Sequence, residues 1–338
     1  MSQVRKKITD SGLAGKPPTP KVADTSKRGR RTGFVIAAVI LAVILLVVGI
    51  FYYQTYVAPF QRTLISVGNL SIKMDYFLKR AKLAGADPMA MVESLTNEQL
   101  IKLGAVQYGI AATTEEINQA LRITASGGSG NITESEFKEW YRQQLNETGL
   151  SDAEYRDIAG TGLSAIGLQV YLAARVPTVA EQIHLQAIVV KTLADADKVR
   201  ASIKGGESFA SLARQMSVDN ETAEKGGEIG WFPRGILPAE LDTVAFSLKA
   251  GEVSESIPYT ESSDPSAPQT MYFVLMVSEK ANARQVDEDF LAALKDKALA
   301  DWLEQEKTNQ NIRYYNFDSV TYAWMNLQLA KSKAGGQQ

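Results

Sequence analysis

Lys225-Gly226-Gly227-Glu228-Ile229-Gly230-Trp231-Phe232-Pro233-Arg234-Gly235 decides the fold, read with Leu248-Lys249-Ala250-Gly251-Glu252-Val253-Ser254 downstream. Glycine enters positive φ at little cost, so glycines crowded between apolar residues predict a tight loop leading into a short strand. An amphipathic helix over residues 238–248 separates that strand from the second Gly-Glu turn. Upstream, residues 183–190 are apolar and β-branched, the composition of a strand. Residues 195–204 and 208–216 read as helices parted by Gly205-Gly206. Downstream, residues 254–258 and 271–278 read as strands joined by a polar insertion over 261–269. Residues 181–280 thus form one module mixing strand and helix.

On both sides of it the period changes to that of helices. Residues 57–178 read as helical, with Thr113-Thr114-Glu115-Glu116 and Ser151-Asp152-Ala153-Glu154 as helix starts and Phe137, Trp140 and Tyr141 on one helical face. From residue 287 to about 309 the helical period returns through Phe290, Leu294, Leu299 and Trp302, and residues 314–329 read as its extension. Neither flank alone buries an apolar face well, so residues 57–178 and 284–330 are expected to pack into one helical domain interrupted by the module. The fold class is α+β.

Residues 34–53 are twenty consecutive residues without a charge, enough for a helix to cross a bilayer's hydrocarbon core. Residues 1–33 carry nine Lys/Arg against Asp10 and Asp24, whereas residues 54–338 hold 27 basic and 36 acidic residues. That asymmetry predicts a basic, disordered cytoplasmic tail, a single-pass anchor in the cell membrane, and the remainder outside. The apolar run is long for a cleaved signal peptide and no small-x-small site follows it. The chain has no cysteine, which excludes disulfides and thiolate metal sites. An acidic exterior argues against nucleic acid as a partner. No phosphate-binding loop, metal-ligand cluster or nucleophile–base pairing is legible, so no metal or cofactor is expected.

The opening strand, Gly206-Glu207-Ser208-Phe209-Ala210, Ser217-Val218-Asp219, the Gly-Gly-Glu-Ile-Gly-Trp-Phe loop and the Gly-Glu-Val-Ser turn follow one another in an order that resembles the parvulin (PpiC, rotamase) family of peptidyl-prolyl cis-trans isomerases. With its helical flanks and anchor, the chain is similar to foldases such as PpiD, SurA and PrsA, in which a helical chaperone domain wraps the module. The resemblance implies an apolar proline slot lined by Ile229, by Leu237 and Leu241 where the family has Met and Phe, and by Phe232. It assigns Asp219 to the position facing the isomerised bond. It also implies two histidines, and those positions hold Ala187 and Phe273. The only histidine, His184, lies three residues before Ala187, and an odd offset along a strand points to the opposite face. The implied partners are unfolded or secreted polypeptides with proline-containing segments. Three readings stay open: an anchored foldase with weak isomerase activity, a non-catalytic holdase, and an envelope scaffold using the module as a docking surface.

Overall fold

The computed structural model describes residues 25–261 and 269–334, with side chains from 34 to 260 and from 269 to 331. Residues 1–24 of the tail expected over 1–33, and residues 262–268 of the polar insertion expected over 261–269, lie outside the described residues; the remainder of the tail, expected to be disordered, is already helical from Thr25. The chain divides into two compact units, Met1–Arg62 and Thr63–Gln338. In the first, α1 (Thr25–Tyr52) runs through a π-helical turn at Tyr53–Val57 into α2 (Ala58–Gln61). Phe34–Gln61 is long and apolar enough to cross a membrane, and its large apolar side chains from Phe34 to Phe51 are exposed on all faces.

The second unit opens with a hairpin, β1 (Thr63–Val67) and β2 (Leu70–Lys73), closed by a two-residue turn with Gly68 at φ 57°. Five helices follow: α3 (Met74–Ala84), α4 (Pro88–Gln107), α5 (Thr114–Ala125), α6 (Glu134–Thr148) and α7 (Asp152–Ala173). Thr113, Thr133 and Ser151 each close a reciprocal capping box with the glutamate three residues on, which is why α5, α6 and α7 begin where they do. The middle of the chain comprises β3 (Val179–Val190), α8 (Leu193–Lys204), α9 (Phe209–Met216), α10 (Asn220–Ala223), β4 (Glu228–Pro233), α11 (Ala239–Ser247), β5 (Ile257–Glu261) and β6 (Gln269–Gln285). The chain then returns through α12 (Glu288–Asn309), β7 (Ile312–Tyr314) and α13 (Ser319–Ala334).

Two expectations about the flanks are corrected. The N-terminal flank is not wholly helical, because β1 pairs antiparallel with β2 and with β7 in a three-stranded sheet. Residues 314–329 do not continue α12: the chain first forms β7 and turns at Asn316, φ 57°, before α13. β7, the second partner of β1, lies near the far end of the chain, so no local pattern marks that pairing. The strand expected at 254–258 begins at Ile257. Before it, the Ser254 backbone N–H donates to the Leu275 carbonyl and the Ser254 hydroxyl accepts from the Leu275 N–H, holding an irregular edge against β6.

The flanks pack on each other. α12 lies across α4 and α7, where a Cβ on Gly104 would fall 2.5 Å from the Trp302 ring. The Trp302 indole N–H donates to the Tyr108 hydroxyl at 3.3 Å, and Tyr108 stacks on Tyr171 with ring centroids 4.8 Å apart. In the module, β4-β3-β6-β5 make one antiparallel sheet. Strand alternation divides its core. Ile183, Leu185 and Ala187 face α11, whereas Ile188 and Val190 face α8 and α9.

Candidate functional site

The face of the sheet beneath α11 gathers most of the residues that the sequence singled out. Ala187 and Leu241 are buried there with Ile183, Leu185, Ala245, Phe246 and Leu275, and Ile229, Phe232, Leu237 and Phe273 line the half-buried rim. Residues from β3, β4, β6, α11 and the β4–α11 loop therefore meet at one apolar patch. Tyr259 of β5 stands edge-on to Phe273, with ring centroids 5.8 Å apart.

The Gly-Gly pair is what brings β4 to this patch. Gly227 has φ 84°, and its carbonyl accepts the Ala187 N–H at 2.8 Å. A Cβ on Gly227 would lie 2.6 Å from the Ala187 carbonyl oxygen, and one on Gly226 would lie 2.7 Å from the Ala210 Cβ. Backbone touches backbone at this point, and only glycine fits. Beyond the loop Ile229 is an extra residue, since Leu185 pairs with Gly230 and Gln186 with Glu228. The bulge re-aims the Ile229 side chain.

Asp219 is not one of the residues of that apolar cluster. It caps α10: its carboxylate accepts the Glu221 N–H at 3.3 Å and the Thr222 hydroxyl at 2.6 Å. The preceding residue ties this segment to the end of β3, the Val218 N–H donating to the Val189 carbonyl at 2.7 Å. His184 lies on the other face of β3. Its Nδ1 is 2.7 Å from the Ser278 hydroxyl and its Nε2 is 3.2 Å from the Glu228 carboxylate. The imidazole also rests on Trp231, with ring centroids 5.2 Å apart. The patch of Ala187, Ile229 and Phe273 therefore has no imidazole in it.

Two contributors escaped the sequence reading. Asp242 on α11 is buried and accepts the Gly235 N–H at 2.8 Å, with the Arg234 guanidinium 3.7 Å away. Arg234 lies over the Phe246 ring at 4.1 Å, so the Arg234–Asp242 pair clamps the loop that carries Leu237. Phe290 of α12 packs on Phe232, with centroids 5.2 Å apart. The seven-residue spacing from Gly235 to Asp242 has no motif behind it, and Phe290 stands in the sequence only as part of a helical period.

Residues 186–263 match the family model for the PPIC-type PPIASE domain. The module is a parvulin-type domain, and the chain as a whole is similar to parvulin-type foldases. It is 26% identical over 224 residues to the foldase protein PrsA of Oceanobacillus iheyensis, covering 64% of this chain and 71% of that protein. It is 33% identical over 107 residues to PrsA of Geobacillus kaustophilus, covering 32% of this chain and 35% of that relative. Among solved structures, the peptidylprolyl isomerase PrsA of Bacillus cereus is similar with a TM-score of 0.36 and 17% identity, covering 81% of this chain and 92% of that one.

Proposed function

We propose that this protein is a membrane-anchored, extracytoplasmic foldase that grips proline-containing segments of unfolded chains in the apolar slot under α11 and catalyses their isomerisation weakly. An X-Pro bond crosses a barrier of about 18–20 kcal/mol between isomers that differ by less than about 1 kcal/mol. No covalent step is required, so acceleration comes from binding the twisted amide more tightly than the planar one. Ile229, Leu237, Leu241 and Phe232 offer a hydrocarbon surface to the proline ring. The single supporting observation is what stands where the resemblance implied histidines. Ala187 and Phe273 have no side-chain donor or acceptor, and each Asp219 oxygen already accepts one hydrogen bond in the cap of α10. A polar network able to favour the twisted amide is thus reduced, while the grip on proline is kept.

The decisive measurement is NMR exchange spectroscopy on a proline peptide with the full chain in detergent micelles. Saturable binding with slow cis-trans exchange is expected. Exchange as fast as with a parvulin that has both histidines would refute the weak-catalysis reading, and no binding would refute the slot. The same absence of polar side chains favours the holdase as the second reading, in which binding occurs with no acceleration at all.

The proposed anchor rests on the helix Phe34–Gln61 and the basic residues before it. Lys and Arg are retained on the cytoplasmic side, which sets the acidic remainder outside.

A further inference from the structure

α13 has two apolar faces, and only one of them is covered. Towards α3 and α4 it buries Met325 completely, and the Tyr322 hydroxyl donates to the Asp87 carboxylate at 2.6 Å. On the opposite side Val320, Ala323, Leu327 and Ala330 recur at helical spacing. All four are exposed, Val320 by 77% and Leu327 by 51%. Tyr315, also exposed, stands just before this stripe, and Lys331 lies one turn beyond Leu327 on the same face. Hydrocarbon left in water on one continuous face gains free energy from whatever covers it.

Charge and chain length identify the partner. Residues 310–338 hold Arg313, Lys331 and Lys333 against Asp318, whereas residues 54–338 hold 27 basic and 36 acidic residues. A basic, apolar segment on an acidic exterior fits an anionic surface rather than another part of that exterior. The 28 residues of Phe34–Gln61 rise about 42 Å as a helix, the thickness of a bilayer with its headgroups. An anchor of that length ends at headgroup level, and only Arg62 and Thr63 separate Gln61 from Leu64. Chain length alone keeps Leu64 within about 11 Å of that point. The Leu64 carbonyl accepts the Tyr315 N–H at 2.9 Å, which ties the start of the stripe to the end of the anchor. We propose that this face of α13 is a lipid-contact surface: Val320 and Leu327 dip among the headgroups of an anionic phospholipid membrane, and Lys331 meets their phosphates, as in an interfacial amphipathic helix. The inference rests on the anchor proposed above, which makes the contact intramolecular, so that a small apolar area suffices.

Because the chain has no cysteine, single labels report each position without background. Val320→Cys, Leu327→Cys, Ser126→Cys and Ala42→Cys, each carrying a nitrobenzoxadiazole fluorophore, test the proposal. The full chain is reconstituted in vesicles of equal parts phosphatidylcholine and phosphatidylglycerol, with nitroxide lipids as quenchers. Headgroup nitroxide is expected to remove most of the fluorescence at positions 320 and 327 and little at 126. Leaving out phosphatidylglycerol should reduce that quenching. Val320→Asp should abolish it at position 327 without lowering the melting temperature, since Val320 is exposed. Should Val320→Asp melt lower, Leu327→Asp with the label at position 320 takes its place. Quenching at 42 by mid-chain nitroxide, with none at 320 and 327, overturns the proposal and leaves the anchor standing. No quenching at 42 rejects the anchor and the proposal with it. Quenching at 327 that persists in Val320→Asp, or that ignores phosphatidylglycerol, also overturns it. So does shielding of 320 and 327 from aqueous iodide that rises with protein concentration without lipid quenching, which assigns the face to a second copy.

Discussion

Gly227 shows how a single residue sets the slot. With φ 84° and the Ala187 carbonyl 2.6 Å from where a Cβ would stand, Gly227→Ala combines backbone strain with a backbone clash. Urea denaturation of that variant is expected to show about 2–4 kcal/mol less stability in the module. Gly230 also has positive φ, at 98°, but nothing lies within 4 Å of its Cβ position, so Gly230→Ala should cost only about 1–2 kcal/mol. A residue with charge behaves differently. Burial works against the Glu154 carboxylate, but hydrogen bonds from the Ser151 N–H and hydroxyl, and then from Lys79, outweigh it and hold its pKa below the ordinary 4.5. A carboxyl whose pKa is lowered on folding adds stability that is complete above the unfolded value and is lost as pH falls through the folded one. Glu154→Gln should therefore melt below the parent at pH 7, with the gap closing as pH drops below 4.5; a gap that persists at pH 3 would mean the charge is not its source. His184 offers a third test. Because its ring bonds Ser278 and Glu228 away from the slot, His184→Gln is expected to leave the affinity for a proline peptide unchanged in NMR titration.

At the scale of elements, α12 joins the two flanks and touches the module. Trp302 is 8% exposed and fills the space left by Gly104 on α4, so Trp302→Ala should lower stability by about 3–5 kcal/mol in chemical denaturation. At its other end Phe290 supports Phe232 on the slot's rim. The helices of the N-terminal flank were legible because their starts are chemical. Thr or Ser followed three residues later by Glu satisfies two orphan N–H groups whatever surrounds it, and all three boxes form. The small sheet was not legible. β7 is short, lies at the opposite end of the second unit from the β1–β2 hairpin, and is paired only by meeting β1. Residues 314–329 looked like more of α12 for the same reason: their apolar spacing is helical, but pairing with β1 claims Tyr314 first.

The whole molecule is a chain that leaves its N-terminal flank, builds the module and returns. Cutting after residue 285 removes α12, β7 and α13 but no strand of the four-stranded sheet. Limited proteolysis of that truncation should find the module resistant and residues 63–178 degraded, since α4 and α7 lose the surface that covers them. The absence of cysteine makes topology equally testable. With Ser11→Cys and Ser126→Cys introduced separately, an impermeant maleimide applied to intact cells is expected to label position 126 and not position 11; the reverse would overturn the proposed orientation.

Composition and local pattern alone determined the apolar N-terminal helix, the capped helices, the glycine loop and the single histidine, because each depends on residues adjacent in the chain or on their identity. Tertiary structure alone decided that Ala187, Ile229, Leu241 and Phe273 share a face, that Asp219 serves as a helix cap, and that Asp242 and Phe290 brace the apolar patch. Those facts depend on which surfaces meet when distant segments close on one another. Many partners satisfy an apolar face or a single polar group equally well in a sequence, and only packing chooses among them.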